Sequence, residues 1–96
     1  MRIFTMKLDA SAAPGNAGVQ HVVRDIRDKW VQFTAPFAGN FTIELSLDGT
    51  EFAPHVTGVT GPGLYKVEPP AAYIRLRCVT LTSGTPAAVV AGFNDA

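Results

Sequence analysis

Few residues in this chain have the types and spacing that chemistry needs. The two histidines, His21 and His55, lie on different segments, and no Cys/His/Asp cluster has the spacing of a metal site. Ser46, Ser83 and the acidic residues are scattered, without a nucleophile–base arrangement legible in their order. Gly61-Pro62-Gly63 lacks the strand-to-helix context and the following Lys-Ser/Thr of a phosphate loop, so it reads as a turn. Asp25 and Asp28, in a mixed cluster with Arg27, offer carboxylates to calcium but not the dense oxygen spacing of a calcium loop; a self-compensating charged turn accounts for them. Cys78, the lone cysteine, forms no internal disulfide and reads as a small buried hydrophobe on a strand. The expectation is therefore no enzyme: no catalytic residue, no cofactor and no metal.

The aromatic residues say more. Trp30 falls on the polar face of its segment, with Gln32 and Thr34, while Val31, Phe33 and Ala35 take the other. Tyr73 shares an outward face with Arg75 and Arg77, opposite Ile74, Leu76 and Cys78. Trp, Tyr and Arg dominate interface hot spots, so Trp30, Tyr73, Arg75 and Arg77 are candidate protein contacts. An aromatic platform for a sugar is the other functional reading. Phe4 and Met6, on one side of the N-terminal strand, join the list of candidate contacts.

The elements that must position these residues are strands. Phe41, Ile43, Leu45 and Leu47 alternate with Thr42, Glu44 and Ser46, the period of a half-buried strand. Asp48-Gly49 follows and favours a two-residue type I′ turn. That turn sets Leu45 opposite Phe52 and Ser46 opposite Glu51, with Pro54 closing the hairpin. Further strands are expected at 2–8, 19–24, 29–35, 64–67, 73–82 and 87–93. Asp25–Asp28, Pro36 to Asn40 and Ser83–Pro86 read as turns, and 55–70 as mostly irregular chain. The last strand is wholly apolar and needs cover on both sides or a place in an interface. The core is expected to hold Phe33, Ile43, Leu45, Phe52, Ile74 and Leu76. No helical period of useful length occurs. The pattern predicts an all-β fold: one small β-sandwich, Ig-like or jelly-roll-like, of about seven or eight short antiparallel strands. Residues 1–18 read as an N-terminal strand and a flexible arm that orders on a partner, and 19–96 as the sandwich body.

Ninety-six residues make one domain with a modest core. The net charge is zero, which argues against nucleic acid or an anionic membrane as partner and leaves self-association unopposed. No stretch approaches a membrane span, and no signal peptide is evident at the N-terminus.

The order Lys29-Trp30-Val31-Gln32-Phe33, then Ser46-Leu47-Asp48-Gly49-Thr50, then Tyr73-Ile74-Arg75-Leu76-Arg77, then Thr82-Ser83-Gly84-Thr85 resembles a group of small β-sandwich proteins of tailed-phage virions. The resemblance covers residues ~29–93. Its implications are a head decoration or cement protein, or a small tail or fibre-associated component, located in the virion and assembled in the host cytoplasm. The implied partners are a major capsid protein or another virion protein. A homo-oligomer is expected, with the resemblance favouring a trimer and a dimer left open. The Ser-x-Asp-Gly hairpin and the Tyr-Ile-Arg-Leu strand are also similar to discoidin-like carbohydrate-binding sandwiches, so a saccharide-binding module is the alternative. The paired cysteines of that family are absent.

Overall fold

The computed structural model describes residues 2–10, 14–34 and 36–94. Eight strands follow in chain order: β1 (Arg2–Leu8), β2 (His21–Val22), β3 (Ile26–Phe33), β4 (Phe37–Ser46), β5 (Ala53–Val59), β6 (Gly63–Val67), β7 (Tyr73–Gly84) and β8 (Ala88–Asn94). They form two four-stranded antiparallel sheets, β1-β8-β3-β6 and β2-β7-β4-β5. The pairs β4–β5, β3–β6, β2–β7 and β1–β8 are the rungs of one long hairpin folded over itself. That is the jelly-roll order, which decides between the two sandwich types the sequence left open.

Alternation builds the core. Val31, Phe33 and Val90 from the first sheet face Phe41, Ile43, Ile74 and Leu76 from the second, and all are fully buried. Phe33 ties the sheets together. Its ring centroid lies 5.8 Å from Phe37 and 5.9 Å from Phe41, and Tyr65 meets it edge-on at 6.0 Å. Each such pair adds roughly 0.5–1.5 kcal/mol beyond the area buried.

The central hairpin differs from expectation. Leu45 pairs with Ala53 and Glu44 with Pro54, so residues 47–52 form a longer loop. Of the two turn residues only Gly49 has positive φ (82°), whereas a type I′ turn needs both. The cause is side-chain competition for the loop backbone. The Ser46 hydroxyl oxygen accepts the N–H groups of Asp48 and Gly49, and the Asp48 carboxylate accepts those of Thr50 and Glu51. Phe52, expected in the core, instead lies under the Arg75 guanidinium, 3.9 Å from its ring centroid. Leu45 is only partly buried and Leu47 is 77% exposed. Pro54 sits inside β5, which an edge strand tolerates.

Other bounds shift for similar reasons. β4 runs through Gly39-Asn40, where its register against β7 slips twice; a Cβ on Gly39 would stand 2.4 Å from the Thr80 carbonyl oxygen. β3 begins within the expected charged turn, because a bulge between Arg27 and Trp30, with Asp28 at φ 52°, absorbs the irregularity. The expected 19–24 strand shrinks to β2. β5 occupies residues expected to be irregular.

Part of the expected arm is held by its own chain. The Gly15 and Gly18 N–H groups donate to the Cys78 and Leu76 carbonyls, and Cys78 N–H donates to Asn16. Residues 11–13, Ala35 and the last two residues of the expected polar end lie outside the described residues. β8 is central in its sheet, so one face lies in the core and the other is half-buried.

Gly49→Val should lower the melting temperature, because a β-branched residue at positive φ is strained by about 1–3 kcal/mol and its Cβ would press on the Tyr73 ring at 3.0 Å. An unchanged melting temperature would contradict the loop geometry. In urea unfolding, Leu76→Ala should cost about 2–5 kcal/mol and Leu45→Ala less. Equal costs would be at odds with the partial burial of Leu45.

Candidate functional site

The candidate contact residues divide between opposite faces of the sandwich. On the outer face of the β2-β7-β4-β5 sheet, Glu44 stands opposite Arg75 and diagonal to Arg77. Its carboxylate accepts from Arg75 Nε at 2.6 Å and Arg77 Nε at 2.8 Å. Arg77 also donates to the Gly15 carbonyl at 2.9 Å, which anchors the arm. Arg24 donates to the Tyr73 hydroxyl at 2.8 Å. Tyr73, Arg75 and Arg77 are thus engaged within the chain, binding the arm, the 47–52 loop and β2 to the sheet.

Burial acts to raise the Glu44 pKa. The hydrogen bonds and charges of the two guanidinium groups outweigh it and hold the carboxyl below the usual range. Asp48 is also held low, by the N–H groups of Glu51 and Thr50. Burial pushes the Cys78 thiol up, which fits the packing role expected for it.

The outer face of the β1-β8-β3-β6 sheet is different. Its registers place three rows side by side: Ile3–Phe93–Arg27, then Thr5–Ala91–Trp30–Lys66, then Lys7–Val89–Gln32–Leu64. Ile3 is 73% exposed, Leu64 62% and Trp30 43%, while Val89, Ala91 and Phe93 are half-buried between them. Trp30 is held by Lys66, whose ammonium lies 5.9 Å from the ring centroid. Beside it, Ile3, Asp28, Trp30 and Phe93 line a recess of about 310 Å³. Met6 points the other way, packed against the core, and Phe4 shares its side of β1 at the sandwich margin, 37% exposed.

A larger cleft of about 490 Å³ opens at the end of the sandwich, between the 47–52 loop and Pro69-Pro70. Its floor is apolar, and Asp48, Glu51 and His55 are its titratable residues. Among the described residues, no group of three or more His, Cys, Asp or Glu is placed to hold a metal. The described residues form no helix, so none is long and apolar enough to cross a membrane.

Trp30 lies outward as the alternation predicts, but the sequence did not show Ile3, Leu64 and Phe93 as its neighbours. The signal was present in two places. The apolar β8 needed cover on its second face, and Gly63-Leu64-Tyr65-Lys66-Val67 alternates so that Leu64 and Lys66 share the outward side. Lys29 was also missed. It shares the inward face of Val31 and is 3% exposed, with its ammonium donating to the Ile26 carbonyl at 3.2 Å. Burial lowers its pKa against the opposing pull of Asp28.

The chain matches no protein family, no curated protein and no solved structure among those compared with it.

A carboxyl with a lowered folded-state pKa stabilises the fold above its unfolded value, and that stability is lost as pH falls through the folded value. Stability should therefore decline on acidification below about pH 4, and Glu44→Gln should make that acid limb shallower. Urea melts across the acid range check this. An identical acid limb in Glu44→Gln would show that the pair with Arg75 and Arg77 contributes nothing.

Proposed function

We propose that this chain is a non-enzymatic structural protein of a virion, a head decoration or cement protein, which seats the outer face of the β1-β8-β3-β6 sheet on a capsid protein. The observation that carries the reading is that face: an apolar field centred on Trp30, with Ile3 and Leu64 exposed at either side. Contiguous apolar surface of this kind marks interaction sites, and a central tryptophan is the usual energetic anchor of one. Lys7, Lys66 and Arg27 surround the field, which suits an apolar partner surface with an acidic rim. The tailed-phage resemblance supplies the virion context. The jelly-roll order is in keeping with it, since viral capsid domains use that architecture, but lectin domains use it too.

The recess beside Trp30 favours one second reading, a saccharide stacked on the indole with Asp28 near its hydroxyls. Both readings use the same face, so the binding assay separates them and the same variants serve in each.

The test is quantitative mass spectrometry of virus particles purified from a source that carries this sequence. The chain should be present at high copy. Trp30→Ala combined with Leu64→Ser should reduce its incorporation by about tenfold or more without loss of folding, since both side chains are exposed. Absence from particles, together with Trp30-dependent retention on a glycan column, would replace the virion reading with the saccharide one.

A further inference from the structure

The four sheet edges are not equally protected. β5 carries Pro54 and two register shifts against β4. β6 is five residues long and lies between Pro62 and Pro69-Pro70. β2 is two residues long, and the rest of that edge of β7 is covered by backbone hydrogen bonds from Gly15, Asn16 and Gly18. Proline, shortness, bulges and covering segments are the devices that stop a strand edge from pairing with another chain. Charged edge residues are a further such device, and β1 has Arg2 and Lys7; among the described residues it has no proline, bulge or covering segment. It is seven residues, Arg2–Leu8, without proline or glycine, and its register with β8 is unbroken from Arg2 to Leu8. β8 is its single strand neighbour.

We propose that the free edge of β1 pairs antiparallel with β1 of a second copy of this chain, about a two-fold axis at Thr5. The register follows from the faces. A two-fold axis perpendicular to the sheet keeps both cores on one side only if residues opposite each other share a face. Centring on Thr5 meets that condition and pairs all seven residues. Phe4 then stands opposite Met6 of the second copy, twice, both on the core side. Phe4 is 37% exposed and Met6 half-buried in the single chain, so pairing covers the open margin of the core. Thr5 meets Thr5, a favourable cross-strand pair. Arg2 falls opposite Leu8 and Lys7 opposite Ile3, so no like charges meet across the seam. The zero net charge leaves little long-range repulsion between copies.

The joined sheet would have eight strands, with the two Trp30 patches on the same outer side and Thr5 and Lys7 of each copy at the seam between them. The pairing deepens the assembly reading above and rests on it only for its biological use. It replaces the threefold symmetry that the resemblance favours with a two-fold one.

Thr5 is exposed, so charged substitutions there leave the single chain intact. Sedimentation equilibrium of the full chain is expected to show a monomer–dimer equilibrium. Thr5→Lys and Thr5→Glu each place like charges in contact at the axis and should weaken the dimer by about tenfold or more. An equimolar mixture of the two should restore it as a heterodimer. A native chain that is strictly monomeric or trimeric would overturn the proposal. So would charged variants that dimerise as tightly as the native chain, or a mixture no tighter than its components. Circular dichroism checks folding. If a charged variant is unfolded, oxidation of Thr5→Cys decides, because the remaining thiol, Cys78, is buried: a covalent dimer supports the register and a monomer refutes it. A monomeric chain that still enters particles would remove this inference and leave the proposed function standing. A dimer excluded from particles would do the reverse.

Discussion

Much of the molecule depends on one carboxylate. β4 lies between β5 and β7 and is buried on both faces: Phe41 and Ile43 face the core, while Thr42, Glu44 and Ser46 are nearly as inaccessible on the outer side. A carboxylate there must be paired, because an isolated buried charge costs several kcal/mol or more. Arg75 and Arg77, two residues apart on β7, supply both partners, and they do so only in the observed register. The same two arginines carry the peripheral elements. Arg75 lies over Phe52 and so holds down the 47–52 loop, and Arg77 reaches Gly15 and so holds the arm. The chain's own loop and arm are thereby held against the outer face of this sheet.

The opposite sheet has no such cover, and the contrast gives the molecule its polarity. The outer side of β1-β8-β3-β6 has no segment laid across it among the described residues, and its middle is filled by Val89, Ala91 and Phe93 rather than by a charge network. Gly92 explains how β8 can run beside the β3 bulge. A Cβ there would lie 2.4 Å from Ile26 Cγ2 and 2.6 Å from the Arg27 carbonyl, so the bulge and the glycine require each other. The bulge in turn sets the phase that leaves Trp30 outward and Val31 inward. Exposure of the indole is thus a consequence of backbone geometry.

Most strands were legible in the sequence because their alternation is strong. β1 and β7 carry it, β8 was legible instead as an unbroken apolar run, and Phe33, Ile43, Ile74 and Leu76 fell correctly in the core. The central turn was not legible. Asp48-Gly49 has hairpin chemistry, but the outcome depended on Ser46 and Asp48 side chains competing for loop N–H groups, which alternation does not register. Phe52 was misplaced with it. The engagement of Tyr73, Arg75 and Arg77 was hidden for another reason: Glu44 lies about thirty positions away in the chain, and only strand order brings it alongside. Conversely, the patch around Trp30 combines β1, β3, β6 and β8, four segments whose adjacency no local pattern states.

In the proposed reading, Trp30 and its neighbours form the surface through which the protein attaches to a virus particle. Trp30 is the single tryptophan of the chain. Replacing it with hydroxytryptophan gives an emission that can be excited apart from the tryptophans of a particle. Acrylamide quenching of that emission, free and particle-bound, reports directly on the water access of this face. If the face is the contact surface, binding should shift the emission to the blue and strongly reduce quenching. Unchanged emission and undiminished quenching in the bound protein would show that it attaches by another surface.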